Sequence, residues 1–96
     1  MSDLEELPIP RAVVAANKKA EMARIWLADG SQIVTLSPRL WEDPGAWGIM
    51  LIDLARHVAR AYEEKGLDAT VALGRIKEAM DAEWSSATDW PKNTES

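Results

Sequence analysis

Cysteine and phenylalanine are absent from the 96 residues, and histidine and tyrosine occur once each. Without cysteine there can be no disulfide and no thiolate metal site, and a single histidine is too little for a nitrogen-ligated centre. No metal and no cofactor is expected. Basic clusters are missing as well. Eleven Lys and Arg are scattered among sixteen Asp and Glu, the net charge is −5, and Lys18-Lys19 is the only adjacent basic pair. Nucleic-acid binding draws its affinity from concentrated positive charge, so a nucleic-acid partner is not expected. Long apolar runs are also lacking. The stretch from Gly45 to Ile52 falls far short of the ~20 residues that span a bilayer, and Asp3, Glu5 and Glu6 stand where a secretory signal carries lysine. The expectation is a cytoplasmic protein with no membrane association.

What is present is enough for one small domain. Residues 1–19 are acidic and then punctuated by Pro8 and Pro10, and they read as an extended or partly ordered lead with at most a short helical turn near Ala12 to Ala16. Residues 20–86 form the domain, and the polar stretch 87–96 reads as a mobile C-terminal tail, although Trp90 could fold back.

The pattern predicts an α+β fold in ββαα order. Asp29-Gly30 lies between two apolar runs, a preferred type I′ hairpin turn because both central residues must take positive φ. Pairing Ala28 with Ser31 sets Leu27 opposite Gln32, Ile25 opposite Val34 and Ala23 opposite Leu36 on one nearly apolar side. Met22, Arg24, Trp26, Ile33, Thr35 and Ser37 share the other. The competing reading, a helix over residues 17–28, does not explain this agreement between turn and alternation. The hairpin spans about residues 21–37, and its apolar side is expected to rest on the two helices.

Asp43-Pro44 predicts the start of a helix over about 44–65, since the carboxylate accepts orphan amide hydrogens and proline at the first position forfeits none. Gly66 is its left-handed terminator. Trp47, Leu51, Leu54 and Val58 share one face, while Asp53, Arg56, His57, Arg60, Glu63 and Glu64 share the other. From Gly45 to Ile52 no polar side chain appears at any angle, so those first two turns call for burial all round. Asp68 caps a second helix over about 69–85, with Ala72, Leu73, Ile76, Met80 and Trp84 on its apolar stripe. The short link makes the two helices antiparallel neighbours.

The residues able to carry chemistry are few. Asp53 is placed to orient His57 one turn later, and Arg56 with Arg60 could grip a carboxylate or phosphate. The same stripe is also an ordinary solvated face of i, i+4 ion pairs, and no motif supplies a nucleophile. Gly45 and Gly48 lack the spacing of a phosphate-binding loop, and Asp43 would repel an anion there. Five tryptophans are the unusual abundance. Trp47 and Trp84 fit helix stripes and are expected in the core. Trp26 and Ile33 fall on the ribbon face with no assigned cover, so Trp26, Ile33 and Trp47 are the candidate interface residues.

The segments Arg24 to Gly30, Leu40 to Gly48 (running through Trp41-Glu42-Asp43-Pro44), Asp53 to Ala59 and Asp81 to Trp84 resemble a family of small proteobacterial proteins, domain of unknown function 5076. The resemblance covers about residues 7–90. It implies a bacterial, cytosolic protein with no assigned activity and transfers no catalytic residue. The residues favour a protein-binding or self-assembly module, a homodimer, over an enzyme. The alternative is a small ligand-binding protein or enzyme that uses Asp53, Arg56, His57 and Arg60.

Overall fold

Asp29 and Gly30 take φ of 50° and 77°, as a type I′ turn requires, and they close an antiparallel ribbon of β1 (Ala23–Ala28) and β2 (Ser31–Leu36). In the computed structural model, residues 4–86 are described together with the backbone of 94–95. The ladder runs from Ala23 opposite Leu36 to Ala28 opposite Ser31, the register that the alternation predicts, and Ser37 N–H donates to the Met22 carbonyl at 3.0 Å. A two-residue strand, β3 (Thr94–Glu95), lies parallel to β2 and makes the sheet order β1-β2-β3. The rest of the expected tail, Trp90 included, lies outside the described residues.

Upstream, residues 4–10 have no regular structure, and α1 (Arg11–Ala15) is a short turn of helix opened by Pro10, whose carbonyl accepts from Val13 and Val14. The lead is tied to β1 by charge. Arg24 donates to Glu6 at 3.2 Å and to both carboxylate oxygens of Glu21 at 2.9 and 3.0 Å.

α2 (Gly45–Glu63) begins as its capping residues dictate: Asp43 Oδ1 accepts from Gly45 N–H at 2.9 Å. It ends in the expected glycine cap. Gly66 has φ 98°, Gly66 N–H donates to Glu63 and Leu67 N–H to Tyr62, the paired bonds that satisfy the last carbonyls of a helix. Asp68 Oδ1 then accepts from Thr70 and Val71 and opens α3 (Ala69–Ser85). The element order is the expected ββαα.

The core is small and lies where α2 meets α3. Among the described residues only Ala55 and Ala59 of α2 and Ala72 of α3 are buried, flanked by half-buried Ala69, Leu73 and Ile76. At 3.6 residues per turn, Ala55 and Ala59 sit roughly a quarter turn round from the Trp47, Leu51, Leu54, Val58 stripe. The helices meet through small side chains at the edge of that stripe and leave its centre open.

Three expectations are corrected by this packing. The apolar ribbon face does not rest on the helices of its own chain: α2 and α3 pack on each other, β1 on β2, and among the described residues no strand packs on a helix. Leu27 is therefore 81% exposed and Ile25 59%. The first turns of α2 are not buried all round, since Ile49 is 69% exposed, and Trp84, expected in the core, is 92% exposed. Between the two halves, the connection from Ser37 to Pro44 is irregular, with turns and bends and with prolines at 38 and 44 that restrict its backbone.

Candidate functional site

The polar stripe of α2 is laid out along the helix at 3.6 residues per turn, so Asp53, Arg56, His57 and Arg60 share one face, and all four are exposed. Asp53 does not orient His57. Its Oδ1 accepts from Arg56 Nη1 at 3.1 Å, an exposed i, i+3 ion pair of the ordinary surface kind. On α3, Lys77 donates to Asp81 at 2.8 Å and Arg75 to Glu78 at 3.4 Å. The hydrogen bond from Lys77 to Asp81, assisted by the carboxylate's charge, raises the lysine above its usual pKa, and Glu21 does the same for Arg24. Among the described residues no group of three His, Asp or Glu side chains is placed to hold a metal ion.

Concave surface lies elsewhere. A broad cleft of about 880 Å³ runs between the N-terminal lead and the edge of β1, with Leu7, Ile9, Val13, Arg24 and Trp26 among its walls. It is open to solvent, and its charged lining residues include Glu5, Glu6, Lys19 and Glu21, with Arg24 engaged by Glu6 and Glu21. The cleft explains why Trp26 is half-buried. Ile33, opposite Trp26 in the ladder, is half-buried too.

Trp47 is positioned by the start of α2, and its ring meets Trp41 edge to face, with centroids 5.1 Å apart and planes at 79°. The pair fixes the end of the connecting segment against the helix. It leaves Trp47 half-buried.

The features with the most surface to offer are two apolar faces. On the ribbon, Leu27 is open to solvent and Ile25 is exposed at the wall of the cleft; on the helical pair, Leu51, Leu54, Val58 and Tyr62 of α2 and Met80 of α3 are all exposed. Ile25 and Leu27 carried a signal in the strand alternation, but it said only that the face is to be covered, and not by which element. These residues join Trp26, Ile33 and Trp47 as candidates for contact.

A family model described as Domain of unknown function (DUF5076) matches residues 6–88. The chain belongs to this family. The Trp41-Glu42-Asp43-Pro44 segment and the stretch from Asp53 to Ala59, by which the resemblance was drawn, both fall inside the match. Among solved structures, the chain is similar to one described as "a putative pyruvate dehydrogenase from the photosynthetic bacterium Rhodopseudomonas palustrus CGA009", at 34% identity and a TM-score of 0.76, over 96% of this chain and 95% of that one. No curated protein matches the chain significantly. The family therefore fixes the fold and assigns no reaction. No helix among the described residues is long and apolar enough to cross a membrane.

Proposed function

We propose that this protein is a non-enzymatic self-assembly module that works as a homodimer in the bacterial cytosol. One observation carries the reading: the described residues bury three alanines and leave seventeen large apolar side chains exposed. Monomeric proteins rarely expose apolar patches beyond a few hundred Å², and a two-stranded ribbon with an uncovered face is marginal in water. A standard interface removes about 800 Å² from each partner, an area that two such apolar faces can supply.

The polar face of α2 supports the same choice from the other side. Asp53, Arg56, His57 and Arg60 stand exposed on a helix surface, with the carboxylate already engaged by Arg56. The description of the Rhodopseudomonas structure does not change this. Oxidative decarboxylation of a 2-keto acid depends on a carbanion-stabilising cofactor, and the described residues offer neither a group of metal-ligating side chains nor an enclosed pocket for one. Light scattering on the purified full chain at micromolar concentration is expected to give twice the mass of the single chain. A stable monomer overturns the proposal.

A further inference from the structure

The two open faces differ in kind: one is the flat side of a ribbon, the other the stripe of a helical pair. We propose that the homodimer is exchanged, so that the Ile25 and Leu27 face of each ribbon lies on the α2–α3 face of the second copy. This inference rests on the homodimer reading and adds which surface meets which.

Layer architecture motivates it first. A sheet with one apolar face is stabilised by helices packed across it, and helices with an apolar stripe by a layer that covers it. Each half of this chain is the partner that the other half lacks, yet among the described residues no strand of the protomer packs on either helix. The paired charges are out of the way: by helical spacing, Asp53 and Arg56 lie on the opposite side of α2 from Leu54 and Val58. Closing the two layers buries no ion pair there.

The connection supports exchange over self-closure. The segment from Ser37 to Pro44 carries prolines at 38 and 44, which limit its folding back, and the Trp41–Trp47 contact pins its far end to α2. A hinge held open in this way favours completion by a neighbour.

Symmetry favours it too. In a two-fold assembly the contact of surface i with surface j occurs twice, so a single kind of interface covers both faces of both copies. Packing helices on helices and ribbon on ribbon would need two separately evolved interfaces to reach the same coverage.

The absence of cysteine makes the test direct. Two differently tagged variants, one Leu27→Cys and the other carrying a single cysteine at Leu54 or Val58, are unfolded, mixed, refolded and mildly oxidised. Exchange predicts a linked species at twice the 10.6 kDa chain mass that contains both tags and exceeds either like-tagged product. A dimer whose links are mainly Leu27→Cys to itself, or helix cysteine to itself, overturns exchange while leaving the homodimer standing. A monomer by light scattering overturns the homodimer itself. Isotope-filtered nuclear Overhauser spectra on mixed labelled and unlabelled wild-type chains provide a readout without substitution: contacts from Ile25 and Leu27 methyl groups to Leu54 or Val58 of the other copy support exchange, and their appearance only within one copy, or their absence from a dimer, defeats it.

Discussion

In the β1–β2 ribbon the backbone ladder is complete from Ala23 to Ala28 and large side chains beside it lie open, whereas in the α2–α3 pair side-chain packing does the joining through three buried alanines. The ribbon is thus specified by its turn and its hydrogen bonds, which are local. The helical pair depends on two surfaces approaching closely, which small residues permit. Neither half buries enough to be self-sufficient, and they fall short in complementary ways: the ribbon has a face with no layer on it, the helices a stripe with no ribbon on it. The difference teaches that correct local structure and a complete core are separate achievements.

That contrast can be broken from either side. The largest effect is expected at the helical contact: Ala59 is 2% exposed, and Ala59→Leu should drive α2 from α3 at a cost of about 1–3 kcal/mol, read as a lowered thermal midpoint. An unchanged midpoint would show that the alanine contact does not define the pair. In the ribbon, Gly30→Ala places a side chain at φ 77° where nothing lies within 4 Å of the new Cβ, so its cost is conformational, roughly 1–2 kcal/mol. Hydrogen exchange should then quicken in the β1 and β2 amides more than in α3. Equal quickening in both halves would mean that ribbon and helices unfold as one unit, as exchange across a dimer would allow.

The smallest effect concerns charge. Lys77 has its folded-state pKa raised by Asp81, so the stabilisation is fully present below the unfolded lysine pKa of about 10.4 and is lost as pH rises through the higher folded value. Asp81→Asn should flatten that alkaline limb of the stability profile. Because the pair is exposed, the change at neutral pH is expected to be slight. A large loss would place the Lys77 side of α3 in a contact that the protomer does not contain.

Much of the architecture was legible in advance because its signals are local. Asp29-Gly30 can close only certain turns, Asp43-Pro44 and Asp68 open helices by accepting amide hydrogens, and Gly66 ends one by taking positive φ. The candidate site was less legible. Asp53 and His57 have the spacing of a pair, but side-chain rotamers chose Arg56 as the carboxylate's partner. Alternation sets Trp26 and Ile33 opposite the apolar side, with no element to cover them; the lead, tethered through Glu6 and Arg24, forms a cleft along that edge that takes in Trp26 and Ile25, and Leu27 is left open instead.

The sequence by itself determined the turn, the strand register, both helix starts and the glycine that ends α2, since each depends on a few neighbouring residues and on backbone geometry. Only the tertiary structure decided that the helices meet through Ala55, Ala59 and Ala72 and that the ribbon stands apart from them. Periodicity states which side of an element is apolar. What covers that side depends on how the elements are brought together in space, and here the helices pack on each other and not on the ribbon.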